Sequence, residues 1–167
     1  FRVGEAPRIG FRTPFYSGPE IDAASRRRSE FRVREATRIG FRTPSSLRIE
    51  DIEPGDMVLA RDEHGQDIGL KRVTEVYRRT SYHLRHLTFE SADGAKQTLS
   101  TTDEHPFWSA TAEEFINAGI LPIGHEVSGP DGTTQTLVSS VREETPAGTP
   151  VFNLQVEGFH TYYVAAA

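Results

Sequence analysis

The run TTDEHPFW at residues 101–108 places two hydroxyls, two carboxylates and an imidazole directly before an apolar pair. Pro106 fixes its own φ and biases His105 towards extended backbone, so the imidazole is held in a defined place. An imidazole titrates near neutral pH, and a hydroxyl three residues earlier can hold a neighbouring polar group by hydrogen bonding. That pairing suits proton transfer at a positioned bond. The plain alternative is that His105 only pins a loop beside Pro106.

Other candidates are weaker. His83 and His86 are three residues apart on a strand-like run, so their rings point to opposite faces and cannot easily share one metal ion. They read as ordinary strand histidines. Trp108 and Phe107 read as packing beside the site, and His125 as structural. Serine, histidine and aspartate are all present, but without a Gly-x-Ser-x-Gly turn to present a nucleophile. The chain contains no cysteine, which excludes a disulfide framework, a thiolate metal site and a thiol nucleophile.

The elements that must position these residues are mostly strands. From Ile49 onward, short β-branched runs alternate with turn signals. DMVLAR, LKRVTEVYRR, YHLRHLTFE and QTLST read as strands, with DEHGQ and SADGAK as turns between them. TQTLVSSVREE, TPVFNLQVEGF and HTYYVA follow the same pattern. TAEEFINAGI reads as the one short helix, with Thr111 as N-cap, two glutamates in its first turn and Gly119 at its stop. A faint internal repeat relates IEPGDMVLARDEHG at 52–65 to LPIGHEVSGPDG at 121–132, which suggests two related β subdomains.

Before this body lies a basic arm. Residues 1–48 carry a net charge of +6 and residues 49–167 one of −11, making −5 for the 167-residue chain. The arm is itself a repeat, since FRVGEAPRIGFRTP at 1–14 returns as FRVREATRIGFRTP at 31–44. Two copies are too few for a solenoid. With little apolar material to bury, residues 1–30 are expected to be weakly ordered and to pack little. Clustered arginines could neutralise phosphates, but few aromatics interleave them and the body is acidic, so nucleic acid is not the expected partner. No apolar run approaches the roughly 20 residues needed to span a bilayer.

Four stretches occur in a fixed order: IEDIEPGDMVLARDE at 49–63, STTDEHPFW at 100–108, AEEFINAGILPIGHEV at 112–127 and VFNLQVEGFHTYYVA at 151–165. Together they resemble the Hint family of inteins, hedgehog autoprocessing domains and bacterial intein-like domains. EHPFW and EGFHTYYV bring the pretoxin Hint modules of polymorphic toxins nearest. The resemblance covers about residues 32–165 and implies an all-β horseshoe with pseudo-twofold symmetric subdomains. It sets the domain division at 1–30 for the arm and 31–167 for the Hint unit.

The chemistry it implies is self-directed. A first Cys or Ser attacks the carbonyl before it to form a thioester or ester, and a Thr-x-x-His motif assists that acyl shift. Thr102 and His105 match this motif as TDEH. His105 would pass a proton to the scissile nitrogen while Thr102 holds the peptide. An amide needs this help because resonance makes it a poor electrophile. His160 falls on the family's second histidine, which promotes C-terminal cleavage, and Thr102, His105 and His160 are expected to converge on one cleft. Asn153 stands in a slot that often carries Asp or Cys, and an amide there keeps hydrogen bonding but loses acid–base capacity.

Two larger departures concern the ends. The nucleophile slot falls at about Arg32, which is no nucleophile, and Ser29, Ser45 and Ser46 are out of register. The chain stops at Ala165, Ala166 and Ala167 without the family's cyclising His-Asn, so either the natural domain continues a few residues further or alanines stand in place of that pair. This raises the alternative of a catalytically dead Hint-fold spacer or interaction module. No cofactor or metal is implied. The expected partners are the flanking segments of the same polypeptide, acting on a monomer with no membrane contact, within a secreted or surface-associated bacterial parent that ends in a toxin or effector.

Overall fold

A computed structural model describes residues 2–3, 11–14, 47–62, 67–159 and 161–164. Among these residues the eleven strands are β1 (Arg2–Val3), β2 (Phe11–Pro14), β3 (Leu47–Arg48), β4 (Met57–Arg61), β5 (Ile68–Ser91), β6 (Lys96–Thr101), β7 (Pro106–Ser109), β8 (Glu114–Asn117), β9 (Glu126–Ser128), β10 (Thr134–Val156) and β11 (Thr161–Val164). A single 3-10 turn at Ile49–Asp51 is the only helical element among the described residues. The chain is all-β, as its turn-punctuated β-branched runs imply. No helix among the described residues is long and apolar enough to cross a membrane.

The spine is one antiparallel pair, β5 with β10, running for 24 and 23 residues. Each was expected as two strands. In β5 the link between the runs, Thr80–Ser81, contains neither glycine nor proline, so the strand runs on through it. In β10 the turn residues of TPAGTP are taken up by a register shift between Glu144 and Thr149, since a bulge absorbs extra residues without ending a strand. β4 and β6 pair with β5, while β9 pairs with β10 and β7 joins β9 to β8. Ser91 and Ala95 close the β5–β6 hairpin at SADGAK. DEHGQ lies largely outside the described residues.

The internal repeat is a true structural repeat. Gly55 N–H donates to Val73 O at 2.8 Å, and Gly124 N–H donates to Leu137 O at 2.8 Å. Val73 N–H returns a bond to Asp56 O at 2.7 Å, and Leu137 N–H returns one to His125 O at 2.9 Å. Both turns place a glycine at positive φ, 106° and 91°, which a side chain would strain. Both feed a buried pair into the core, Ile52 with Val58 and Leu121 with Val127. The same turn therefore precedes β4 and β9 and ties them to β5 and β10.

One expected element is different. TAEEFINAGI is not a helix: a turn leads into strand β8, whose Phe115 and Ile116 pair with Trp108 and Phe107 of β7. Glu113 has a φ of 55°, which no right-handed helix admits. Thr111 caps no helix, because its Oγ1 accepts the N–H of Glu126 at 2.9 Å. Tertiary pairing outweighs a weak local helical preference here, and the edge-on Trp108–Phe115 contact, with ring centroids 5.1 Å apart, is its side-chain expression.

The core runs under the centre of the sheet through Leu87, Phe89, Leu99, Phe107, Leu137 and Leu154, all essentially without solvent contact. Two pieces of the N-terminal arm join the body. β1 pairs with β3, and β2 pairs with β11, with Phe11 opposite Val164 and Pro14 opposite Thr161. β2 also packs against β7.

Candidate functional site

TDEH forms the loop between β6 and β7. His105 N–H donates to Thr102 O at 3.2 Å, closing a tight turn, and Ala118 N–H donates to His105 O at 2.8 Å. Gly119 N–H adds a bond to Asp103 O at 2.9 Å, so the segment after β8 clamps the loop from one side. A Cβ on Gly119 would stand 3.0 Å from that of Asp103, and this close approach explains the glycine better than the helix stop expected of it. The ring of His105 lies edge-on to Phe107, centroids 5.5 Å apart, and Phe107 rests against Phe89 at 6.2 Å. Burial pushes the His105 imidazole down from 6.5 to about 4. At neutral pH it is therefore uncharged.

A neutral imidazole can accept a proton, and only after doing so is it an acid able to give one away. Among the described residues, no hydrogen bond engages the side chains of Thr102 or His105.

Asp103, between them, was not singled out by its sequence. Its carboxylate accepts Arg85 Nε at 2.7 Å and Arg142 Nε at 3.0 Å, and the ring of His83 lies 3.8 Å from it. The Arg85 hydrogen bond, aided by the charges of Arg85, His83 and Arg142, holds its pKa below the usual carboxylate value. These partners lie 18 to 39 residues away in sequence, so only the β5–β10 register could reveal them. The histidine pair divides as the strand geometry requires. His83 faces the TDEH loop, whereas His86 bonds Ser100 Oγ at 2.8 Å and Glu143 Oε2 at 2.7 Å.

Because the folded-state pKa of Asp103 is depressed, its stabilisation is present above the unfolded carboxyl pKa and is lost as pH falls through the folded value. Asp103→Ala is expected to cost about 2 kcal/mol near neutrality, since it strands the mostly buried Arg85. Urea titrations should show this deficit shrinking at pH 2–3; a deficit of equal size there would remove the electrostatic explanation.

Asn153 lies on β10 opposite Tyr77. Its Oδ1 accepts the Leu154 N–H at 2.9 Å and the Tyr162 hydroxyl at 2.6 Å, tying β10 to β11. The hydroxyl of Thr161 donates to Arg61 O on β4, so β11 is anchored from both sides. His160 and Arg32 lie outside the described residues, as do Ser29, Ser45, Ser46 and Ala165–Ala167. Their immediate neighbours are informative: β11 begins one residue after His160, and β2 stands between β11 and β7, the strand that follows His105. Phe107 is core as expected, while Trp108 packs on Phe115 instead. His125 Nδ1 meets the buried Ser109 hydroxyl at 2.9 Å, a structural contact.

Comparison with known proteins agrees with this geometry. Residues 42–167 match the pretoxin HINT domain family. No curated protein matches the sequence. The fold is similar to the solution structure of a bacterial intein-like domain from Clostridium thermocellum, with a TM-score of 0.66 and 23% identity over 95% of this chain and 91% of that one. It is also similar to the Msm DnaB1 intein splicing domain bound with zinc, with a TM-score of 0.54 and 15% identity over 73% and 84% of the two chains. The Ssp DnaB mini-intein variant M86 gives a TM-score of 0.54 at 15% identity, over 74% and 86%.

Proposed function

Because the chain belongs to the pretoxin Hint domain family, we propose that it is a self-processing domain whose substrate is its own polypeptide and whose product is a released C-terminal toxin or effector segment. The domain runs from residue 31 to 167, with residues 1–30 as an appended arm. What carries this reading is the TDEH loop, clamped by the segment after β8 and carrying a neutral imidazole and an unengaged threonine hydroxyl on one turn.

At the N-terminal junction, neutral His105 would accept the nucleophile's proton as its oxygen or sulfur bonds to the preceding carbonyl carbon. The resulting imidazolium would pass that proton to the departing nitrogen as the C–N bond breaks. Thr102 would hold the scissile peptide. At the other junction His160 would assist cleavage, while Asn153, its oxygen committed to Tyr162 and Leu154, holds β11 in place. Arg32 in the nucleophile slot makes the N-terminal step inactive in this chain.

That arginine favours a second reading, a catalytically dead spacer built on the Hint fold. Expression with the natural downstream segment attached separates the two. Mass spectrometry should find the downstream segment freed, and His160→Ala should suppress its release. A single uncleaved mass for both proteins would establish the spacer.

A further inference from the structure

The edge of β11 is held by Phe11–Pro14, and the same four residues recur as Phe41–Pro44. The other paired piece of the arm, Arg2–Val3, recurs as Arg32–Val33 at the same spacing. Both described segments of the first copy that pair with another strand are thus present twice in the sequence. The two differences between the copies, Gly4 against Arg34 and Pro7 against Thr37, leave the sequences of both described paired segments identical in the second copy. The family match begins at residue 42, inside the second copy, whereas the structure seats the first copy on β11.

We infer that β11 is a strand-docking site for which the two FRTP segments of this chain compete, so that Phe41–Pro44 can replace Phe11–Pro14 in the same register. Antiparallel pairing is made by backbone groups, and residues identical at every paired position offer β11 the same donors, acceptors and side chains. Neither copy therefore has a local advantage. The site needs an occupant, because Thr161, Tyr162, Tyr163 and Val164 are all buried with β2 in place. An empty edge would leave unpaired backbone groups beside that surface. Exchange moves the point of docking by 30 residues along the chain. On the self-processing reading, it also changes which peptide bond lies beside the His105 loop; the docking itself does not depend on that reading.

Amide hydrogen exchange at residues 161–164 of the full chain tests the inference without any activity. In an antiparallel pair, alternate N–H groups face the partner, so replacing two neighbouring residues by proline removes one facing donor whatever the phase. Three variants are compared with the unchanged chain: Arg12→Pro with Thr13→Pro, Arg42→Pro with Thr43→Pro, and all four together. Each pair alone should lower protection of β11 by less than about tenfold, because the other copy takes the place, and the fourfold variant should lower it by about a hundredfold or more. β5 and β10 amides report that the body remains folded. If either pair alone removes as much protection as all four, one copy cannot substitute for the other and the inference fails. It fails equally if the fourfold variant keeps its protection, or if protection after loss of the first copy depends on protein concentration, which would place the exchange between chains.

Discussion

Arg32→Cys, placed behind an N-terminal tag, is expected to release the segment ending at Phe31 when a thiol is added, whereas the unsubstituted chain stays intact. Arginine keeps its proton at any working pH and carries no lone pair available for attack, so with Arg32 in the proposed slot no nucleophile stands there. A cysteine supplies one. Its sulfur bonds to the Phe31 carbonyl carbon as the C–N bond breaks, leaving a thioester and a free amine at position 32; an added thiol then exchanges onto the carbonyl and frees the segment. His105→Ala in this background removes the group proposed to shuttle the proton, and release should slow by roughly two to four powers of ten. Mass measurement over time reads both effects. Release from the unsubstituted chain would refute the missing nucleophile, and equal release with and without His105 would remove its catalytic role while leaving the fold assignment intact.

Acidification is expected to destabilise the protein through His105 itself. Its folded-state pKa of about 4 lies below the ordinary value of 6.5, so between these values the unfolded chain binds more protons than the folded one. Stability therefore rises with pH across this window and is lost as pH falls from 6.5 towards 4. At about 1.4 kcal/mol per pKa unit, the full shift corresponds to about 3 kcal/mol. That is an upper figure, because the residue as a whole keeps partial exposure and solvent there weakens the desolvation. Urea titrations at pH 7 and pH 4.5 should show the loss, and His105→Asn should flatten the profile in that window. The Asp103 contribution falls at lower pH and is separable. A His105→Asn protein with the same pH dependence as the unsubstituted chain would show that the imidazole is not desolvated. The same low pKa predicts that release from Arg32→Cys remains supported by His105 down to about pH 5, because the ring is still able to accept a proton there.

Local pattern in the sequence was enough for the all-β class, the strands around the motif, the two related turns at Gly55 and Gly124, and the placing of Thr102 and His105 on one loop. These depend on residue type within a few positions: β-branched alternation, glycine at positive φ, and the proline after His105. The resemblance to the Hint family rested on the same short-range wording, and the match over residues 42–167 agrees with it. Three features could only be decided by the tertiary structure. β8 is a strand because Phe115 and Ile116 face Trp108 and Phe107, a pairing worth more than the local helical preference of TAEEFINAGI. The Arg85–Asp103–Arg142 clamp exists because the β5–β10 register sets Arg85 opposite Arg142 and the loop after β6 brings Asp103, 18 and 39 residues from them, onto both. The low pKa of His105 comes from surrounding protein that excludes water. Cross-strand register and desolvation are properties of how distant segments meet, and the spacing of residues along one chain does not encode them directly.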